Sequence, residues 1–141
     1  MPGGIDIEPN NSAFTIEDIM IVNNYFEGVW GTGGAIGLVL LRDNAPGYNI
    51  TIKDNRIVDC SCGILIDIFT EGSSDNLTIK GNIIDEKTKP FNFVGKGRSR
   101  NWIISGNEFS ELKKQSIPGD IVVENLTVKN NRIIKTQKKI V

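Results

Sequence analysis

The sequence predicts an all-β fold, a parallel β-solenoid of about five coils with three short strands in each coil. Three observations predict it: a short segment repeats along the chain, apolar residues alternate within each copy, and every copy ends in Asn. The five copies span 18–24, 49–55, 76–82, 101–107 and 125–131. Their final Asn residues recur every 24 to 31 residues.

The first strand of each coil lies within the repeated segment. Its second and fourth residues are apolar in every copy, as in Ile50 and Ile52. This two-residue period is typical of a strand with one buried face. The sixth residue of each copy is Asn, Asp or Gly, the types that best tolerate a positive φ, so we expect a tight bend there.

The seventh residue of the segment is Asn in every copy. A buried carboxamide both donates and accepts hydrogen bonds, so stacked copies would satisfy backbone groups at the bend. The predicted asparagine ladder consists of Asn24, Asn55, Asn82, Asn107 and Asn131.

Two further strands complete each coil. The second strand follows the bend, and its inward residues are Phe26, Ile57, Ile84, Phe109 and Ile133. The third strand follows a variable turn and begins near Ile5, Ile36, Ile64, Phe91 and Ile121. A coil of about 25 residues cannot bury its own apolar face, but stacked coils pair at about 4.8 Å. A β-sandwich is the alternative, although it would not need Asn at every bend, and residues 108–115 are the only candidate helical turn.

Length and composition place the chain among single globular domains spanning residues 1–141. Hydrophobic residues make up 39% and charged residues 23%, which is typical of a soluble fold. No run of about 18 apolar residues occurs, so we expect no membrane partner. The N-terminus does not resemble a signal peptide, and the chain stops where a sixth coil would begin. We therefore expect a C-terminal portion of a longer protein.

Charge and missing residue types exclude several functions. The chain has no His, which excludes His-based catalytic sites and the commonest zinc sites. Its net charge of −1 gives no field to recruit nucleic acid. Residues 1–72 hold ten acidic and three basic residues, whereas residues 73–141 hold seven and thirteen. The basic half could meet an anionic polymer, although a dipolar, solvated surface is the more ordinary interpretation. Cys60 and Cys62 are expected as small side chains at a turn.

The five copies of strand, small residue, Asn and strand resemble the right-handed parallel β-helix of the pectate-lyase-like superfamily, over essentially the whole chain. The resemblance implies a polysaccharide as partner, a substrate groove over the sheet of third strands, and lyase or glycoside hydrolase activity. It also implies a secreted, cell-surface or virion-associated location. The polygalacturonase-like signatures Asn-Thr-Asp, Gly-His-Gly and Arg-Ile-Lys are missing, so the resemblance implies the fold without fixing one activity.

Acidic residues on the third strands are the candidate catalytic groups: Asp6, Glu8 and Asp67. Asp6 and Glu8 stand two residues apart on one strand face, with Cα atoms about 6.6–6.8 Å apart. Inverting glycosidases separate their carboxyl groups by roughly 6.5–9.5 Å. Glu8 and Asp67 face the same way two coils apart, at roughly 9.6 Å. Such acids would also suit Ca2+, or would simply face solvent and protect a strand edge.

The candidate substrate-binding residues are Trp30, Arg42, Arg98 and Arg100. Trp30 lies in the longest turn and would stack on a sugar ring, and the three Arg residues would contact an anionic sugar. The middle of the groove is apolar, with Val39, Leu65, Val94 and Val122. An apolar stripe usually packs against something, which here would be a flanking loop, a missing N-terminal domain or further copies of the chain. Homotrimeric phage tailspikes resemble the last arrangement. The rival to an enzyme or carbohydrate-binding module is therefore a structural or receptor-binding solenoid.

Overall fold

The computed structural model describes residues 3–9, 13–40, 46–69, 72–110 and 117–134. Within these ranges the chain forms strands, turns and bends but no helix, which confirms the predicted all-β fold. No helix in the described part of the chain is long and apolar enough to cross a membrane. In chain order the strands are β1 (Ile5–Ile7), β2 (Ile16–Glu17), β3 (Met20–Val22), β4 (Tyr25–Glu27), β5 (Ile36–Leu40), β6 (Pro46–Lys53), β7 (Arg56–Val58), β8 (Cys62–Ile68), β9 (Ser73–Lys80), β10 (Ile83–Ile84), β11 (Lys89–Gly95), β12 (Arg98–Ser105), β13 (Glu108–Phe109), β14 (Val122–Lys129) and β15 (Arg132–Ile133).

The strands form three sheets in which all pairs are parallel. Sheet A has the order β1-β5-β8-β11, and sheet C has the order β4-β7-β10-β13-β15. Sheet B has the order β2-β6-β9-β12-β14, with β3 also pairing with β6. Neighbours within a sheet come from successive coils, so the chain is the parallel β-solenoid that the repeat predicts.

The predicted asparagine ladder forms at the bend between sheets B and C. The Nδ2 of Asn55 donates to Oδ1 of Asn82 at 2.9 Å, and the Nδ2 of Asn82 donates to Oδ1 of Asn107 at 2.9 Å. The same contact extends the ladder outward to Asn24 and Asn131. Each Oδ1 from Asn55 onward also accepts the backbone N–H of the preceding ladder residue. The carboxamides therefore join all the coils that carry the repeat.

A second ladder, which was not predicted, runs along the surface of sheet B. It is formed by the first residues of the repeated segments, which have φ between 53 and 59°. The Nδ2 of Asn76 donates to Oδ1 of Asn49 at 2.9 Å, and the Nδ2 of Asn101 donates to Oδ1 of Asn76 at 2.9 Å. Its outer members are Asp18 and Asn125. The predicted positive φ at the sixth position is confirmed at Asn23, Asp54, Gly81, Gly106 and Asn130.

The core is the inside of the solenoid, filled by the inward columns of the three sheets. Trp102 is fully buried, as predicted, and its Nε1 donates to the carbonyl oxygen of Ser74 at 2.5 Å. Phe91 packs edge-on against Phe109 with ring centroids 5.2 Å apart. The fully buried aliphatic residues of the coil interior are Ile36, Leu38, Leu40, Ile50, Ile52, Ile57, Ile64, Ile66, Ile68, Leu77, Ile79, Ile84 and Ile104.

The solenoid makes about four turns rather than the predicted five. The third strand expected near Ile121 does not form in sheet A, which has only four strands in the described residues. Residues 117–120 form bends and turns instead, because Pro118 has no N–H to donate and Gly119 has a φ of 70°. The chain then enters β14, which belongs to sheet B.

Cys60 and Cys62 are buried free thiols. The backbone N–H of Cys60 donates to Oγ1 of Thr88 at 3.0 Å, which holds the turn before β8. Burial raises the pKa of the Cys62 thiol to about 11. Cys60 lies at the turn, as expected, whereas Cys62 is the first residue of strand β8 and stays neutral at physiological pH.

Candidate functional site

The outer face of sheet A carries two rows of side chains that run along the solenoid axis. The first row is Asp6, Gly37, Leu65 and Asn92, and the second is Val39, Asp67 and Val94. Both rows have the register that was predicted from the repeat. The structure therefore places Asp6 and Asp67 on one face, in adjacent rows and two coils apart.

Glu8 lies outside this paired arrangement. Strand β1 ends at Ile7, and Glu8 follows it as a half-buried residue. In the described ranges no group of three or more Asp, Glu, Cys or His residues is close enough to hold a metal ion. Asp6, Glu8 and Asp67 thus do not form such a group, and each carboxylate has to be considered separately.

Asp67 has the most distinctive environment of the three acids. It is half-buried on β8 and lies between Val39 and Val94 of the neighbouring strands. Burial among apolar neighbours disfavours the ionised carboxylate and raises the pKa of Asp67. Its carboxyl group is therefore better suited than a solvated one to holding a proton that it would donate to a substrate oxygen.

The apolar stripe expected across this groove is not a free surface. Val39 and Leu65 are buried, and only Val94 of the sheet A members is exposed. Val122 is exposed but lies on β14 in sheet B, because the fifth third strand does not form. The four residues therefore do not form one continuous apolar patch.

Trp30 precedes strand β5, which pairs in sheet A with β1, the strand that carries Asp6. The loop between β4 and β5 carries Trp30, and 64% of its surface is exposed. Ser61 fixes this loop from the next coil: its Oγ donates to the carbonyl oxygen of Gly31 at 2.7 Å and its N–H donates to that of Val29 at 2.9 Å. The aromatic ring is therefore presented on a pinned loop rather than on a free one.

Gly37 is a buried, tightly packed position between that loop and Asp6, and sequence reasoning did not single it out. A Cβ at Gly37 would lie 3.0 Å from the carbonyl oxygen of Gly33 and 3.2 Å from Oδ1 of Asp6. The Trp30 loop and the Asp6 carboxylate thus border the same glycine. The signal was present in the sequence, since Gly37 is the only glycine in the row that begins with Asp6.

Two of the three arginine candidates, Arg98 and Arg100, lie in sheet B and not in loops beside sheet A. Arg98 and Arg100 are on β12, and they line a groove of about 260 Å³ together with Ser73, Asp75, Ser99, Val122 and Glu124. Arg42 lies outside the described residues.

Arg100 is already paired. Its Nη2 lies 3.0 Å from Oδ2 of Asp75, and its backbone N–H donates to Oδ1 of Asp75 at 2.9 Å. The hydrogen bond and the charge of Asp75 raise the pKa of Arg100, with a smaller contribution from Glu124. Arg98 is exposed and has no ion-pair partner among the described residues. Arg98 is therefore the better candidate for binding an anion.

Comparisons with protein-family models, with curated proteins and with solved structures give no match to this chain. The resemblance to the pectate-lyase-like superfamily therefore stays a prediction from the repeat.

Proposed function

We propose that this chain is a carbohydrate-binding β-solenoid module whose ligand is an acidic polysaccharide. The proposed contact surface is the outer face of sheet A with the Trp30 loop and Arg98 beyond its far end. The observation that supports the proposal most is the exposed indole of Trp30, on a pinned loop whose Gly33 borders the same glycine, Gly37, as the Asp6 carboxylate. An exposed aromatic face stacks on the apolar face of a sugar ring, while a neighbouring carboxylate accepts hydrogen bonds from its hydroxyl groups.

The acidic character of the ligand is inferred from charge. Arg98 has no ion-pair partner among the described residues, and guanidinium groups recognise carboxylates with two hydrogen bonds. It follows β11, whose partner β8 carries Asp67, so both lie toward the same end of the sheet A strands. A polymer crossing sheet A would meet Trp30 at one side and Arg98 at the other.

Titration calorimetry with polygalacturonate, and with its methyl-esterified form as the uncharged counterpart, tests this proposal. Binding should be tighter for the charged polymer, and Trp30→Ala should weaken it by roughly tenfold, the loss of one stacked ring. Tyr25→Ala is the matched control, because Tyr25 is 58% exposed but lies on sheet C. No binding of either polymer, or equal binding by the Trp30→Ala variant, would contradict the proposal.

The more far-reaching form of the same proposal is that the chain also cleaves the bound polysaccharide. In it Asp67 donates a proton to the leaving oxygen and Asp6 or Glu8 acts as base. Its test is the release of reducing ends or unsaturated products from the bound polymer. Asp67→Asn should abolish release while leaving binding intact, and no release by the wild type would restrict the chain to binding.

The rival is a structural or receptor-binding solenoid of a surface or virion protein, including the predicted homotrimer. The burial of Val39 and Leu65 removes the stripe on which that trimer was based. A trimer mass in solution together with no affinity for polysaccharide would favour this rival.

A further inference from the structure

The groove on the outer face of sheet B holds more charged groups than Arg98, the only one of its residues that the proposed function uses. Arg98 and Arg100 stand two residues apart on β12, so both side chains leave the same face of the strand, and both line the groove. Its volume of about 260 Å³ lies just below the roughly 300–1,000 Å³ of pockets for drug-sized ligands. The groove therefore suits a single sugar residue.

Asp75 fixes the guanidinium of Arg100 in this groove. The Nε and Nη2 of Arg100 donate to Oδ2 of Asp75 at 3.3 and 3.0 Å, and the backbone N–H of Arg100 donates to Oδ1 at 2.9 Å. Asp75 is only 9% exposed, whereas the side chain of Arg100 is 64% exposed. Within the described ranges Nη1 of Arg100 and the second hydrogen of its Nη2 have no acceptor. The ion pair thus orients Arg100 and still leaves it donors for a ligand.

Arg98 supplies a second guanidinium whose charge is not neutralised by its neighbours in the groove. It is exposed, and its partner in the register between β12 and β14 is the apolar Val122. Ser73 of β9 lines the groove with a hydroxyl group and no charge. Two guanidinium groups on one strand face therefore offer hydrogen bonds to both oxygens of a carboxylate.

Two residues of β14 favour an acidic sugar over a simple anion. Glu124 pairs with Arg100 in the register, and its exposed carboxylate lines the groove. A carboxylate repels an inorganic anion but accepts hydrogen bonds from hydroxyl groups. Val122 is 53% exposed and offers an apolar contact to the C–H groups of a sugar ring. A uronic acid residue presents a carboxylate, hydroxyl groups and an apolar ring face together.

We propose that the sheet B groove is the subsite for one carboxylated sugar residue, whose carboxylate binds Arg98 and Arg100 while a hydroxyl group donates to Glu124. Asp75 is a positioning residue, which acts by holding Arg100. The inference rests on the proposed function, which supplies the acidic polysaccharide. Strand β12 begins three residues after β11 of sheet A ends, so a polymer that crosses sheet A reaches the groove at the next corner of the coil.

Nuclear magnetic resonance titration with a galacturonate trimer, and with its methyl ester as the uncharged counterpart, tests the subsite. The charged trimer should shift the backbone signals of Arg98, Arg100 and Val122, and the ester should bind roughly tenfold more weakly. Arg98→Gln should weaken binding of the charged trimer by roughly tenfold and leave the ester unchanged. Lys80→Gln is the matched control, because it removes an exposed positive charge at the other end of β9, and it should keep the wild-type affinity.

Asp75→Asn separates positioning from charge. The substitution removes one negative charge from the groove, so a purely electrostatic role predicts tighter binding of the charged trimer. Positioning predicts weaker binding, by roughly tenfold, because the guanidinium of Arg100 is released. Thermal unfolding shows whether the variant keeps its fold, and Arg98→Gln decides the matter if it does not, because Arg98 is exposed.

The outcomes distinguish this inference from the proposed function. Tighter binding by Asp75→Asn, or equal binding of the trimer and its ester, would overturn the subsite. Shifts confined to the Trp30 loop would overturn it as well, while the proposed function would stand. Shifts in the groove with full affinity in Trp30→Ala would support the subsite and contradict the role of Trp30. No shift with either trimer would contradict both.

Discussion

In a buried ladder asparagine, every hydrogen-bonding group of the side chain has a partner. The Oδ1 of Asn82 accepts from the N–H and the Nδ2 of Asn55, and its Nδ2 donates to Ile52 and Asn107. Asn82 is fully buried, so none of these groups would find water if the side chain were lost. No other residue type offers an acceptor and a two-proton donor of this size without charge, which explains why Asn occupies the position in every copy.

Replacement of Asn82 by Leu should therefore destabilise the fold strongly. The N–H of Asn55 and the carbonyl of Ile52 lose buried partners, and each such group costs about 1–3 kcal/mol, so we expect a loss of about 3 kcal/mol or more. Asn76→Gly is the control: Asn76 belongs to the exposed ladder, Gly accepts its φ of 59°, and the loss should stay below about 1 kcal/mol. Urea unfolding measures both variants, and equal losses would show that the buried ladder has no special role.

Two serines in sheet B differ in whether the side-chain oxygen has a hydrogen-bond partner. Ser99 Oγ accepts the N–H of Ser74 at 2.9 Å, whereas the buried Oγ of Ser74 has no partner among the described residues. Ser99→Ala should cost about 1–3 kcal/mol, since it leaves a buried N–H unpaired. Ser74→Ala should be neutral or raise stability by up to about 1 kcal/mol, because it removes an unsatisfied hydroxyl. Chemical unfolding compares them, and a larger loss for Ser74→Ala would contradict this assignment.

At the scale of single strands, β8 carries a carboxylate where its neighbours carry valine. The pKa of Asp67 is raised by burial, so its protonated form is favoured in the folded state. Its contribution to stability is present below the ordinary pKa of 3.8 and is lost as pH rises through the folded value. Asp67→Asn should therefore unfold at a higher urea concentration than the wild type at neutral pH, with the difference shrinking in acid. Asp6→Asn, at an exposed position on the same sheet, should change stability less, and a destabilised Asp67→Asn variant at neutral pH would refute the interpretation.

The end of β11 depends on a glycine. Gly95 has a φ of 97°, and a Cβ there would lie 1.9 Å from the carbonyl oxygen of Ile68. Gly95→Ala should cost about 3 kcal/mol or more, because the clash adds to the backbone strain. Gly28 has a φ of 69° with no atom within 4 Å of its Cβ position, so Gly28→Ala should cost only about 1 kcal/mol. Thermal unfolding separates the two, and similar melting points would show that the strand end rearranges freely.

The repeat predicts local alternation and the register between coils well, because both follow from residue spacing. The inward columns, the buried ladder and the rows of sheet A all appear where the spacing places them. The surface ladder was missed although its residues stand first in every segment. The pair of Arg100 with Asp75 was missed because the two stand 25 residues apart, and only the position before each first-column Asn would have indicated it.

The burial of Val39 and Leu65 could not be predicted from the repeat either. The register correctly placed both side chains on the outer face of sheet A, but whether an outer face meets solvent depends on the variable segments. The same holds for Ile121, whose apolar spacing suited a strand while Pro118 and Gly119 turned the chain elsewhere. The variable turns thus determine which outer residues are buried and where a strand does not form, and the repeat alone predicts neither.

For the whole molecule, the coils support one another only through their immediate neighbours. A solenoid of this type has no central core shared by distant coils, so its stability is a sum of coil interfaces and its two end faces are the weakest parts. The charge difference between the halves makes those ends unlike, with an acidic head and a basic tail.

The central claim is that stacked carboxamides hold the coils together. Hydrogen exchange of the side-chain Nδ2 protons, followed by nuclear magnetic resonance, tests it most directly. The protons of Asn55, Asn82 and Asn107 should exchange orders of magnitude more slowly than those of Asn49 and Asn76 on the surface. Fast and equal exchange in both groups would contradict the buried ladder and the solenoid built on it.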